Sequence, residues 1–262
     1  MTKPLAVLQT DTDSWKSLYK VGAVAALIAA LVFRRNLGAA EIPLVTGITP
    51  PGNVDGWFTL LRNNPLLGLT LLNFFDIANY ALVAVMFLAL FVALRQTSKS
   101  YTLIAATLSF LGAGIYIVSN SALPMLSLSN QYAIASTDAQ KSTLLSAGQA
   151  VLASGFNPGA VYQSTGFYLS LLFVATAGVI ISAVMLQSRI FSKTTAYVGV
   201  VAGSLDLIYL VGLVFVPAVD VPLLGIICIS SGGLFLMIWH LLIGLKMFKL
   251  GRNSKVNGGV NA

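Results

Sequence analysis

Residues 66–94 read LLGLTLLNFFDIANYALVAVMFLALFVAL. This run is longer than the roughly 20 apolar residues that cross a bilayer as a helix. Asp76 is its one charged residue, accompanied by Asn73, Asn79 and Tyr80. A carboxylate at such a depth costs about 3 kcal/mol on insertion scales. An intramembrane carboxylate therefore marks a candidate site, and its neighbours decide what kind.

Outward from this run the pattern repeats. Further apolar stretches of spanning length lie at 18–37, 101–120, 166–187, 195–216 and 222–246. The first is the shortest, with an uninterrupted apolar core from Val21 to Phe33. A cleaved leader would have a core of that length, and Gly38-Ala39-Ala40 would suit its cleavage. Arg34 and Arg35, directly after the core, argue against it. Of 262 residues 57% are hydrophobic and 9% charged, and mean hydropathy is +0.87. A soluble domain carries about 25% charged residues. The expected fold is all-α: a polytopic membrane protein forming a six-transmembrane helical bundle over 18–250. A short cytoplasmic segment, 1–17, precedes it and a disordered cytoplasmic tail, 251–262, follows.

Charge orients the bundle. Eleven cations, Lys3, Lys16, Lys20, Arg95, Lys99, Arg189, Lys193, Lys246, Lys249, Arg252 and Lys255, fall on one side of a six-span arrangement. Four, Arg34, Arg35, Arg62 and Lys141, fall on the other. The richer side is cytoplasmic, which puts both ends of the sequence there and makes 36–65 and 121–163 two long outer loops. Arg34 and Arg35 can snorkel to the outer interface. Within the first loop, Pro50-Pro51-Gly52-Asn53 signals a turn, and Trp57, Phe58, Leu60 and Leu61 suit the membrane interface. Within the second, Thr137 and Gln140 have capping-box spacing and Gly155 can terminate a helix. Leu144, Leu145, Val151 and Leu152 share a face of that segment. The expectation is an amphipathic helix at Asp138–Ser154 on the outer side.

The net charge of +7 follows from the cytoplasmic bias. No basic stripe interleaved with aromatics points to nucleic acid. The partners expected are membrane lipids and a homo- or hetero-oligomer within the membrane. Cys228 is the single cysteine and His240 the single histidine. Intramolecular disulfides and three-histidine zinc sites are excluded. No metal or cofactor is indicated. Ser230 and Ser231 lie nine to ten positions from His240 on one helix, too far for a serine–histidine pair. Lys246 is at the membrane edge, so no deep lysine holds a Schiff base, and no phosphate-cradling glycine loop is present.

What remains is a set of binding or ion/proton candidates at three depths. On a continuous helix Asn73, Asp76 and Tyr80 project within about 60° of one another, with Asn79 flanking. They occupy the outer half of the second span. Asp206 lies near the middle of the fifth, one turn before Tyr209, and His240 lies in the inner half of the sixth. Gly199 and Gly203 form a small-xxx-small pair that admits a neighbouring helix, and Gly233 and Gly244 share the His240 face. Ser109, Gly112, Tyr116 and Asn120 of the third span are candidate partners for either aspartate.

Several stretches resemble one family of membrane proteins. Leu123-Pro124-Met125-Leu126-Ser127-Leu128-Ser129-Asn130-Gln131-Tyr132, the run through Leu144-Leu145 to Leu152, the 188–195 turn and the ending Trp239-His240-Leu241-Leu242-Ile243-Gly244-Leu245-Lys246 are similar to the bacterial and archaeal family known as domain of unknown function 4386. The resemblance implies a compact helical bundle in the plasma membrane of a prokaryote, with no established activity and no catalytic residues to transfer.

Three functional classes fit these residues. One is a non-enzymatic accessory subunit or lipid- or small-molecule-binding bundle. The second is a proton- or cation-coupled transporter using Asp76 and Asp206, and the third an intramembrane enzyme acting on lipid or quinone. The absence of a catalytic constellation favours the first.

Overall fold

The computed structural model describes residues 15–46, 49–155, 163–215 and 221–252, and of residues 32–46, 221, 222, 226 and 229 the backbone alone. Among these residues the secondary structure is entirely helical. Helix α1 is Lys16–Thr46, α2 Val54–Asn63, α3 Pro65–Leu71, α4 Phe74–Leu94, α5 Lys99–Ser119, α6 Ala122–Ile134, α7 Asp138–Ser154, α8 Thr165–Gln187, α9 Lys193–Phe215, α10 Val221–Gly225 and α11 Ser231–Arg252. A π turn, Ile226–Ser230, joins α10 to α11. Among the described residues five segments are long and apolar enough to cross a membrane: Phe74–Leu94, Lys99–Ile134, Thr165–Gln187, Lys193–Phe215 and Ser231–Arg252.

Six long helices form a closed ring. Each of α1, α4, α5, α8 and α9 packs against the next in that order, α9 packs against α11, and α11 returns to α1. Small residues permit this closeness. The inward face of α1 is Ala23, Ala26 and Ala29, all 0% exposed. Gly244 of α11 comes so near α1 that a Cβ there would lie 3.2 Å from the Ala23 carbonyl oxygen. Inside the ring Met86, Phe87, Leu90, Ile181, Met185, Trp239, Ile243 and Met247 make one apolar cluster.

The two connections expected as loops are mostly helix. Region 36–65 contains the end of α1, all of α2 and the start of α3. Region 121–163 contains α6 and α7. Helices α2, α3, α6 and α7 pack on one another as a separate cap at one end of the ring. Its core is Val54, Trp57, Phe58, Leu61, Leu71, Leu72, Ala122, Met125 and Leu152. Trp57 and Phe58, read from sequence as interfacial, are each 1% exposed inside that core. Ser129 Oγ donates to the Phe58 carbonyl at 2.9 Å. Helix α7 has the anticipated bounds because its ends are encoded locally. Thr137 Oγ1 accepts from Gln140 N–H, the Gln140 side chain accepts from Thr137 N–H, and Gly155 closes the other end.

Other boundaries differ from the sequence reading. The 66–94 run is not one helix: it breaks between Leu71 and Phe74, with Asn73 left-handed at φ 56°, ψ 36°. Asn tolerates that conformation better than most L residues. Asn73 thus leaves the helical stripe it was expected to share with Asp76 and Tyr80. The sixth apolar run passes through the π turn, and α11 continues into the segment expected as tail, ending at Arg252. The side chains of Arg34 and Arg35, residues 1–14 and residues 253–262 lie outside the described residues.

Candidate functional site

The break at Asn73 places Asp76 in the first turn of α4. There the partial positive charge of a helix N-terminus favours a carboxylate. The Asp76 N–H donates to the Asn73 carbonyl at 3.1 Å. The Asn120 side chain at the end of α5 donates to that same carbonyl at 3.2 Å. The other atom of the Asn120 amide, Oδ1, accepts from Ala122 N–H, the first residue of α6, at 3.0 Å. One amide therefore joins the starts of α4 and α6, the points where the chain passes between ring and cap.

One turn below, two tyrosines enclose the carboxylate. Tyr116 of α5 donates its hydroxyl to Asp76 Oδ2 at 3.3 Å. Its ring stacks on that of Tyr80, with centroids 3.9 Å apart and planes 5° from parallel. Tyr80 follows Asp76 by four residues and so lies on the same helix face. Its hydroxyl meets the Ser170 side chain of α8, and Asp206 of α9 is within electrostatic range. Asp76, Tyr80 and Asp206 are thus brought into one polar region built from α4, α5, α8 and α9. Tyr116 and Asn120 of the third span are part of it. Ser170 was not anticipated: a lone serine in an apolar run carries no signal until its neighbours are known. Asn79 is 2% exposed, and its Oδ1 has no hydrogen-bond partner among the described residues.

Asp206 is 8% exposed. It faces Gly232, where a Cβ would sit 3.1 Å from Asp206 Oδ1. The glycine against the carboxylate is thus Gly232, one position before Gly233. Tyr209, one turn on from Asp206, has Tyr168 and Cys228 as its electrostatic neighbours. Gly199 and Gly203 line the tight face of α9. A Cβ on Gly203 would lie 2.9 Å from the Ala175 carbonyl of α8, and one on Gly199 would strike Ser182 and Trp239. His240 is 1% exposed, with Nδ1 2.7 Å from the Leu236 carbonyl and its ring edge-on to Trp239. Eight residues, about 12 Å of helix, separate it from Gly232. It stands apart from the two aspartates.

The family follows from the whole chain rather than from this cluster. The family model described as Domain of unknown function (DUF4386) matches residues 17–244. The chain belongs to this family. The DUF4386 match runs from α1 into α11 and so takes in the ring, the cap and every residue of the polar region. No curated protein and no solved structure matches the chain.

Asp76 and Asp206 supply negative charge or carboxyl hydrogen bonds, and the tyrosines and Ser170 supply hydroxyls. Among the described residues no three of His, Cys, Asp and Glu gather to hold a metal.

Proposed function

We propose that this DUF4386 protein is a non-enzymatic, six-span binding bundle of a prokaryotic plasma membrane. It would hold a lipid or small amphiphile at the junction of ring and cap. Helix α1 would supply the sixth span, since it closes the ring between α4 and α11. The cation distribution would then place the cap, with α7, outside and both ends of the chain inside. The observation that carries the reading is the position of the Asp76–Tyr116–Tyr80 group beneath the cap. A headgroup bearing an amine or hydroxyl would meet Asp76 and the tyrosines, while its apolar part lay between helices. An accessory role for a partner in the membrane is compatible with the same site.

The test is native mass spectrometry and extraction of the full chain from native nanodiscs, comparing wild type with Asp76→Asn and Tyr80→Phe. A co-purifying amphiphile depleted in both variants, at unchanged elution volume, is expected. An identical profile of bound molecules in all three would sink the proposal. Coupled transport is the second reading, favoured by Tyr80 standing within electrostatic range of both Asp76 and Asp206. Cation or proton flux in proteoliposomes unaffected by Asp76→Asn and Asp206→Asn would dispose of it.

A further inference from the structure

Cations gather at the end of the ring away from the cap. Lys16 and Lys20 begin α1, Arg95 and Lys99 flank the α4–α5 turn, Arg189 and Lys193 the α8–α9 turn, and Lys249 and Arg252 end α11. The described acidic side chains are elsewhere. Asp55 and Asp138 belong to the cap, Asp76 to its junction with the ring, and Asp206 lies 13 positions along α9 from Lys193, about 20 Å of helix. Among the described residues no carboxylate side chain stands at the basic end. Arg95 packs over the Trp15 ring, 5.3 Å from its centroid, and tryptophan concentrates at the level of lipid headgroups.

Three of these cations meet where α1 packs on α11. A Cβ on Gly251 would lie 3.0 Å from Lys20 Cγ, so the lysine stem crosses the last turn of α11 beside Arg252. Lys249 precedes Arg252 by three positions and neighbours it on the helix surface. All three side chains are exposed. The two helices run antiparallel, since Lys20 meets Gly251 and Leu27 meets Gly244. Ile28, Leu245 and Arg252 each follow one of these contact residues by one position. On antiparallel helices such positions rotate to the same side of the seam. That side carries the exposed stripes Val24, Ile28 and Leu31 of α1 and Leu241, Leu245 and Phe248 of α11. The seam is thus an apolar furrow whose mouth holds Lys20, Lys249 and Arg252.

We propose that the basic end of the α1–α11 seam is a binding site for one anionic phospholipid. Its phosphate lies among Lys20, Lys249 and Arg252, and an acyl chain lies along the furrow. Charge selects the headgroup: three cations without a carboxylate repel one another until an anion joins them. The furrow selects a lipid over a free phosphate, because its two stripes can bury hydrocarbon only against an acyl chain. Basic pockets between helices at a membrane surface recognise anionic headgroups in this way. The site lies at the opposite end of the ring from the amphiphile proposed at Asp76 and does not depend on it.

The test is native mass spectrometry of the delipidated full chain in detergent, titrated with phosphatidylglycerol or with phosphatidylcholine of the same acyl chains. Each cation near an anionic headgroup contributes about fivefold in affinity, so phosphatidylglycerol should bind roughly tenfold or more tighter than phosphatidylcholine. The triple variant Lys20→Gln, Lys249→Gln, Arg252→Gln should lose that preference. A control triple, Lys99→Gln, Arg189→Gln, Lys193→Gln, removes equal charge from the same end of the ring and should keep it, as should Asp76→Asn. Equal binding of the two lipids to wild type overturns the proposal, since the cations are then neutralised within the chain. Equal loss in both triple variants overturns it in favour of a diffuse basic surface, and loss in Asp76→Asn alone moves the lipid to the cap junction. Glycerol phosphate, which has no acyl chain, should not compete at the concentration where the lipid saturates; competition there removes the furrow from the site and refutes a lipid ligand. Should the first triple variant aggregate, Arg252→Gln alone decides, with an expected loss of about fivefold and refutation if affinity is unchanged.

Discussion

The hydroxyl and the ring of Tyr116 make separable contacts, and their energies should differ several-fold. The hydroxyl donates to Asp76 at 3.3 Å, near the long limit of a hydrogen bond, whereas the ring stacks on Tyr80 at 3.9 Å. The residue is 3% exposed. Tyr116→Phe removes the hydroxyl's bond to Asp76, and with it the hydroxyl's contact to the Asn120 side chain, and keeps the stack. Side-chain hydrogen bonds between membrane helices average about 0.6 kcal/mol, with a maximum near 1.7, and Asp76 has further partners. The expected cost is therefore about 1 kcal/mol, which for a chain of this size lowers Tm by about 3 °C. Tyr116→Ala also removes the stack and leaves a cavity, for a loss of about 3–5 kcal/mol. Thermal unfolding in nanodiscs measures both. A cycle with Asp76→Asn isolates the pair, and the Phe and Asn substitutions should fall short of additivity by about 0.5–1 kcal/mol. If Tyr116→Phe costs as much as Tyr116→Ala, or if the cycle is additive, the hydroxyl does not bind Asp76 as the geometry requires.

Two further outcomes follow from backbone and packing. Asn73→Gly should be neutral within about 0.5 kcal/mol, whereas Asn73→Val should cost about 1–2 kcal/mol, because φ 56° suits glycine and opposes a β-branched residue; chemical unfolding of the two variants compares them directly. Gly199→Ala drives a methyl into both Ser182 Oγ and the Trp239 ring, and overpacking of this kind costs about 1–3 kcal/mol; the loss should shrink in a Ser182→Gly, Trp239→Phe background, and an undiminished loss there would place the clash elsewhere.

The apolar runs were legible because lipid imposes a length and a composition that few other environments demand. Helix α7 was legible for a different reason: Thr137, Gln140 and Gly155 write its ends into adjacent residues. Helix α6 was not. The segment from Leu123 to Tyr132 mixes Pro, Ser and Asn with leucines and looks like loop on propensity. Its helix is held by tertiary contacts, Met125 in the cap core, Ser129 Oγ on the Phe58 carbonyl and Tyr132 against the Phe58 ring at 5.3 Å. The same distinction separates the site residues. Asp76 is conspicuous in any apolar run, and Tyr80 follows from helical spacing. Ser170, and Gly232 rather than Gly233, emerge only when helices far apart in sequence meet. No local pattern carries that information.

The break at Asn73 unites these two kinds of residue. A continuous helix over 66–94 would hold Asp76 mid-helix, its N–H committed to a residue four back. The left-handed turn instead puts Asp76 at a helix start and leaves the Asn73 carbonyl accepting from both the Asp76 N–H and the Asn120 side chain. Since Asn120 also fixes Ala122 at the head of α6, a shift of the cap relative to the ring must stretch bonds that position Asp76. The four cap helices share one apolar core. Cap and carboxylate are thus joined through one amide, that of Asn120.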